Sequence, residues 1–240
     1  MKAIILNSGV GRRLKPITDE IPKCLIKLNK DTILGHQIKN LLKVGINKII
    51  ITTGPFEDKI KSFMKENFSD VNATYINNDK YESTNYIYSI WLTRNHIDDD
   101  ILLIHGDTVF KKELLSRLIK GKNKTSVLIR NDHTVPKKDF KAEIIDDKIN
   151  RIGINVFGKN AFFLAPIYKF SKKDFLTLIK EIENFVKRGE LEKYAEDAFN
   201  NISDRIDMRP TFYLDEFCME IDTLEDLEVA KIFFKNMEEM

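Results

Sequence analysis

KAIILNSGVGRRLKPITDEIPK, residues 2–23, is the stretch on which the fold turns. Its first five residues are apolar save for Lys2, and they read as a buried strand. Gly9 and Gly11 follow at once, so the backbone is free to turn and bring its N–H groups close to a ligand. A GxG alone is weak evidence. The dinucleotide fingerprint GxGxxG fails, because Leu14 stands where a third glycine belongs, and the P-loop pattern fails as well. Pro16 and Pro22 argue for a long extended loop rather than an immediate helix. The loop adds charge in Arg12, Arg13, Lys15 and Lys23. Guanidinium forks and a lysine point charge beside free backbone amides suit a polyphosphate. For Arg12 and Lys15 an ordinary solvated surface is an equally good reading.

Outward from that stretch, short apolar runs alternate with amphipathic ones. Strands are expected at 48–53, 74–77, 101–105 and 125–130, and helices at 33–44, 57–68, 85–95 and 111–119. Strands apolar on both faces, alternating with helices, imply a mostly parallel sheet covered by helices, an α/β fold of Rossmann-like type. Ligands then bind beyond the carboxyl ends of the strands. Past residue 138 the pattern changes. Short strands at 142–145, 151–156 and 161–164 suggest a small antiparallel element, with helices at 174–187 and 191–200. A last helix spans 223–236, with Thr223 as N-cap and Asp226 completing a capping-box-like start. The expected organisation is one domain over 1–240: a core to about 137, an insertion over 138–220, and a closing segment over 221–240.

Composition sets the bounds. The chain has 240 residues, of which 42% are hydrophobic and 32% charged, enough for a core without disulfides. Its 39 Lys+Arg against 37 Asp+Glu leave a net charge of +2, which argues against a dedicated nucleic-acid binder. Cys24 and Cys218 are far apart and show no metal-site spacing. No apolar run approaches a membrane span or a signal sequence, so a cytoplasmic location with no membrane partner is expected. Monomer and homodimer are both compatible with the sequence.

Two aspartates are candidate metal ligands. Asp107, in His105-Gly106-Asp107-Thr108, follows a strand end. Hard cations such as Mg2+ use carboxylates together with substrate phosphates. A turn-forming Gly-Asp pair is the plainer alternative. Asp222, in Glu220-Ile221-Asp222-Thr223, precedes the last helix, where Thr223 is free to cap in its place. Between them, residues 81–89 (YESTNYIYS) are rich in hydroxyl and amide groups. His105 reads as a packed histidine and Cys24 as a buried, inert thiol.

Taken together, Leu6, Asn7, Ser8, Gly9, Gly11 and Arg13, then Pro16 and Thr18, then Pro22 and Lys23, resemble the signature of nucleotidyltransferases that make NDP-sugars and CDP-alcohols. The family usually carries two alanines where this chain has Asn7 and Ser8. The segment from Glu220 to Thr223 and the 81–89 stretch resemble the small choline-phosphate cytidylyltransferase-like branch. The resemblance implies CTP, Mg2+ and a small phosphorylated or phosphonylated acceptor, of phosphocholine, 2-aminoethylphosphonate or phosphoglutamine type, with pyrophosphate as co-product. Lys23 and Arg13 would be catalytic. Leu6, Asn7, Ser8, Gly9, Gly11, Arg12, Asn85 and Gly106 would join them in binding nucleotide. Tyr81, Ser89, Tyr213 and Glu216, with Asp215, would line the acceptor pocket, and Asp107 and Asp222 would hold the metal and converge in space. A UTP- or dTTP-dependent sugar-1-phosphate enzyme is the alternative within the class. A non-catalytic nucleotide-binding domain and a glycosyltransferase are the alternatives outside it.

Overall fold

The computed structural model describes residues 1–131 and 139–238. The expected boundary near 137 lies outside the described residues. In chain order the elements are β1 (Lys2–Leu6), α1 (Ile17–Glu20), β2 (Lys27–Leu28), β3 (Asp31–Thr32), α2 (Ile33–Lys43), β4 (Lys48–Thr53), α3 (Glu57–Asn67) and β5 (Asn72–Asn77). Next come α4 (Tyr86–Leu92), β6 (Ile101–His105), β7 (Thr108–Phe110), α5 (Lys112–Lys120), β8 (Thr125–Arg130), β9 (Lys141–Ile145) and β10 (Lys148–Gly153). The chain closes with β11 (Ala161–Phe170), α6 (Lys172–Lys187), α7 (Ala195–Asn201), β12 (Met208–Tyr213), β13 (Cys218–Glu220) and α8 (Leu224–Glu238).

The central sheet runs in the order β10-β9-β11-β6-β1-β4-β5, with β8 paired to β11 and β12 to β8. The run β6-β1-β4-β5 is wholly parallel. β11 then enters antiparallel to β6, β8 and β9. Strand alternation sends side chains to two cores. Ile4, Ile50, Leu103 and Phe170 face α4, α6 and α7 through Ile87, Phe175, Ile182 and Phe199. Ala3, Ile5, Ile51 and Ile104 face α2, α3 and α5 through Leu34, Ile38, Ile60 and Leu114. Each fully buried isoleucine contributes about 1.5–3 kcal/mol. The two-sided burial explains why these strands carry continuous apolar runs.

The strand expected at 151–156 lies at Lys148–Gly153, and proline explains two further differences from the sequence expectation. The run 161–164 extends to Phe170 through Pro166, and the pairing of β11 with β8 shifts register between Ala165 and Tyr168. A proline without an N–H is accommodated at such an irregularity. β12 carries Pro210 and, among the described residues, pairs with β8 alone, so it is an edge strand that tolerates the missing donor. The loop after β1 is also less extended than its prolines suggest. Pro16 caps the four-residue α1, and Pro22 caps a 3-10 turn at Lys23–Leu25. Proline's fixed φ suits a helix start as well as a break. The helix expected from 191 begins only at Ala195, and α4 ends at Leu92 with a 3-10 turn over Thr93–His96.

α2 returns the chain from β1 to β4 on one side of β1, whereas β6 lies on the other. The strand order therefore switches between β1 and β6. Their carboxyl ends, at Leu6 and His105, open a crevice of the kind where ligands bind in such sheets. A third apolar cluster pins the basic loop beside it. Leu14, Ile26 and Leu28 pack against Val109, Ile221, Leu227 and Phe234, tying the loop to β7 and α8.

Candidate active site

Lys23 is the centre of the site. Its Nζ lies 2.6 Å from Asp107 Oδ2 and 2.9 Å from Asp222 Oδ1. Arg13 reaches the same Asp222 oxygen at 2.8 Å. The two aspartates, 115 residues apart in the chain, thus converge on one ammonium. β7 and β13 bring them together. Their antiparallel pairing sets Glu220 opposite Thr108, and the Ile221 N–H donates to the Asp107 carbonyl at 3.0 Å. Thr223 caps α8 as the sequence suggests. Its Oγ1 accepts from the Asp226 N–H at 3.2 Å, and Asp226 Oδ2 accepts from the N–H groups of Asp222 and Thr223 at 3.0 and 2.9 Å. The Asp222 carboxylate is left to face the crevice.

Burial and charge oppose each other here. Burial alone would drive protons off Lys23, but Asp107 and Asp222 hold its ammonium and raise its pKa. Burial also disfavours the Asp107 carboxylate, yet Lys23 and His105 keep its pKa low. Glu220 goes the other way. Its burial, with Asp107 and Asp222 nearby, raises its pKa despite His105. His105 Nδ1 sits 3.2 Å from Glu220 Oε1, and the surrounding carboxylates outweigh burial to raise the imidazole pKa. His105, Asp107 and Glu220 place possible ligand atoms within 4.8 Å of one another. Asp107 Oδ1 is buried without a hydrogen-bond partner among the described residues. An open carboxylate oxygen beside a second carboxylate is a hard, anionic donor set, and it fits Mg2+.

Two adjoining cavities flank this centre. The first, about 270 Å³, is lined by Asn7, Gly9, Gly11, Arg12, Arg13, Lys23, Asp107 and Asp222, among others. Gly11 adopts φ 65°, a left-handed turn, and its carbonyl accepts from Thr18 Oγ1 at 2.9 Å. The second, about 180 Å³, is lined by Ser8, Asn78, Tyr81, Thr84, Asn85, Ser89 and His105. Leu6, Gly9, Gly106 and Asp107 border both. Gly106 is required by close approach. A Cβ there would stand 1.8 Å from Asn7 Oδ1 and 2.4 Å from the Leu6 carbonyl oxygen. The first compartment is cationic, and the second is rich in uncharged donors and acceptors. A nucleoside polyphosphate has the same two-part character.

The nucleotidyl transferase family model matches residues 2–140. The chain belongs to the nucleotidyl transferase family. It is 30% identical over 250 residues to the choline-phosphate cytidylyltransferase of Streptococcus pneumoniae, covering 98% of this chain and 99% of that one. It is 29% identical over 231 residues to a bifunctional IPC transferase and DIPP synthase of Aquifex aeolicus. That match covers 95% of this chain but only half of the bifunctional relative. A solved structure of the CTP:phosphocholine cytidylyltransferase from Streptococcus pneumoniae superposes with TM-score 0.79 at 23% identity, covering 97% of this chain and 98% of that one, a likeness of fold.

Within this nucleotidyl transferase, the residues expected at the site fall into distinct groups. Leu6, Asn7, Gly9, Gly11, Arg12, Arg13, Lys23, Gly106, Asp107 and Asp222 line the first cavity. Ser8, Asn85, Tyr81 and Ser89 line the second. Tyr81 and Ser89, expected on the acceptor side, thus share a compartment with Ser8 and Asn85. Ser89 Oγ donates to Ser8 Oγ at 3.1 Å and accepts from Asn78 Nδ2 at 3.1 Å. Asn85 is the N-cap of α4, and its Oδ1 accepts from the Tyr86 N–H at 2.7 Å. That oxygen is committed to the helix. Lys15, read as either ligand or surface, pairs with Asp19 at 2.8 Å.

Tyr213 and Glu216 do not join the site cavities. Tyr213 ends β12 and is buried among the residues of the second core. Glu216 is drawn to Arg117 on α5, an ion pair at the protein's edge, and Asp215 beside it is exposed. A third cavity, about 200 Å³, opens instead behind Asp222, lined by Arg130, Asp139, Phe163, Cys218, Met219, Glu220 and Asp226. Glu220 is the residue sequence reasoning passed over. The signal was present, because residues two apart on an extended segment share a face, and Glu220 stands two before Asp222. Cys24 is an inert thiol at neutral pH, pushed up to about 12 by burial.

Proposed function

We propose that this chain is a cytidylyltransferase that joins CMP from CTP to a small phosphorylated or phosphonylated acceptor and releases pyrophosphate, acting as one domain. The observation that carries this reading is the convergence of Lys23, Arg13, Asp107 and Asp222 at the border of a cationic and an uncharged compartment. The base and the acceptor class follow the relatives, among which the pneumococcal choline-phosphate enzyme matches along nearly its whole length.

In this reading the acceptor's phosphate oxygen attacks the α-phosphorus in line, and the electron pair of the broken Pα–O bond leaves with pyrophosphate. The attacking oxygen is already anionic, so no general base is required. Catalysis rests on positioning and charge stabilisation. Arg12 and Arg13 hold the β- and γ-phosphates. Lys23 meets the α-phosphoryl oxygens as their charge grows. Asp107 and Asp222 would hold Mg2+, which when bound screens the two anionic reactants from each other. The cavity behind Asp222 is a fitting place for the acceptor, since its carboxylates suit a cationic headgroup and Arg130 a phosphate.

A pyrophosphate-release screen tests the proposal. Four NTPs are paired with phosphocholine, 2-aminoethylphosphonate, phosphoglutamine and sugar 1-phosphates in the presence of Mg2+. CTP with one of the first three is expected to turn over at least about a hundred times faster than any UTP or dTTP pairing, a margin of about 2.7 kcal/mol in barrier. Release confined to UTP or dTTP with a sugar 1-phosphate would replace this reading by its alternative.

A further inference from the structure

Asn7 is the first residue beyond β1, at the strand-order switch, and it is only 8% exposed. Its backbone N–H is satisfied by the Thr52 carbonyl at 3.1 Å and by Thr52 Oγ1 at 3.1 Å. Its side chain is not. Oδ1 rests against Gly106, in the space a Cβ would fill. Nδ2 is buried without a hydrogen-bond partner among the described residues. Native proteins seldom leave a buried amide donor unpaired, and such a group in a cavity wall marks a place for a ligand acceptor.

The neighbouring residue shows which part of the ligand that is. Ser8 lines the uncharged compartment and bonds to Ser89 there. Asn7 lines only the cationic one, with Arg12, Arg13 and Lys23. The residues that border both compartments, Leu6, Gly9, Gly106 and Asp107, are near it in the chain or across from it. Asp107 Oδ1 is open as well, so Asn7 Nδ2 and Asp107 Oδ1 do not satisfy one another. A donor and an acceptor left open in one cavity suit a ligand that brings both an anionic oxygen and a cation. An amide –NH2 is a donor only, so it takes the oxygen.

We infer that the Asn7 carboxamide, held in place by Gly106, donates a hydrogen bond to a non-bridging α-phosphoryl oxygen of the bound nucleoside triphosphate. This rests on the nucleotidyl-transfer reading above and adds a neutral donor to its cationic ones. The α-phosphoryl group joins the phosphate tail to the nucleoside, so it belongs at the border, beside which Asn7 stands on the cationic side.

The test uses the full chain with Mg2+. Calorimetry measures the binding of CTP and of the two α-thio diastereomers of CTP to wild type, Asn7→Ala and Asn7→Asp. Thermal melts of all three report folding, and Asn7→Asp keeps the shape while removing the donor. Wild type is expected to bind one diastereomer about tenfold more weakly than the other, because sulfur is a poor acceptor for the amide. Asn7→Ala is expected to bind CTP about tenfold more weakly and to lose the diastereomer preference. Asn7→Asp is expected to bind more weakly still, through repulsion of the phosphate. Folded variants that bind CTP as wild type does, or that keep the full diastereomer preference, overturn this inference alone. If wild type binds another NTP in place of CTP, the same measurement on that NTP decides. A wild-type chain that binds none of the four overturns the functional reading and this inference with it.

Discussion

Replacing Lys23 by alanine is expected to lower turnover by about a thousandfold or more while leaving the circular-dichroism spectrum unchanged. Removing a single neutral donor from a developing oxyanion costs about 10²–10³ in rate, and Lys23 supplies a full charge. The same variant carries a second, opposite signature. Lys23 Nζ joins Asp107 and Asp222 at 2.6 and 2.9 Å, and its side chain is only 14% exposed. Without it Asp107 loses its cation and Asp222 keeps only Arg13 in a poorly solvated crevice, which costs about 3 kcal/mol in the metal-free protein, the low end for a broken buried pair because the aspartates are partly solvated. The melting temperature in EDTA should therefore fall. Added Mg2+ should raise it more in the variant than in wild type, since the vacated carboxylates bind the ion without competition from an ammonium. A Lys23→Ala protein with turnover within tenfold of wild type would remove Lys23 from the chemistry.

Asp222→Asn is expected to be as damaging to turnover, about a thousandfold, but for the reverse reason in charge. Asp222 accepts from Lys23 at 2.9 Å and from Arg13 at 2.8 Å, so one carboxylate balances two cations. The amide removes that balance and a metal ligand together. Arg13 is then freed toward phosphate and Lys23 is held by Asp107 alone, so nucleotide binding without metal should be unchanged or a few-fold tighter. Steady-state kinetics with Mg2+ and calorimetry in EDTA separate the two effects. Loss of nucleotide binding in EDTA together with loss of turnover would mean that Asp222 shapes the pocket rather than serving the transfer step.

Much of the site was legible because its chemistry is local in sequence. The glycines and basic residues of 9–23 lie on one loop, and the resemblance that joined them to Asp107 and Asp222 led to groups the structure brings within hydrogen-bond reach. The parallel half of the sheet was legible for a related reason, since strands buried on both faces leave unbroken apolar runs. What the sequence concealed is long-range. β11 and β12 each carry a proline, which local reasoning treats as a strand breaker, although a register shift and a sheet edge accommodate them. Tyr213 and Glu216 looked poised before Asp222. The short path between them hides a turn from the end of β12 to β13 that sends Glu216 to Arg117. The cavity behind Asp222 draws on β8, β11 and β13 at once, and no single segment announces it.

The central claim is that the Lys23–Asp107–Asp222 cluster transfers a nucleotidyl group, and the fate of the α-phosphorus tests it most directly. The wild-type chain is incubated with CTP labelled at the α-phosphorus, Mg2+ and the panel of phosphorylated acceptors, and products are separated by chromatography. The account predicts label in a CDP-linked product, formed one for one with pyrophosphate and abolished by EDTA. Label remaining in CTP with every acceptor, or released as free CMP at the same rate whether or not an acceptor is present, would contradict it.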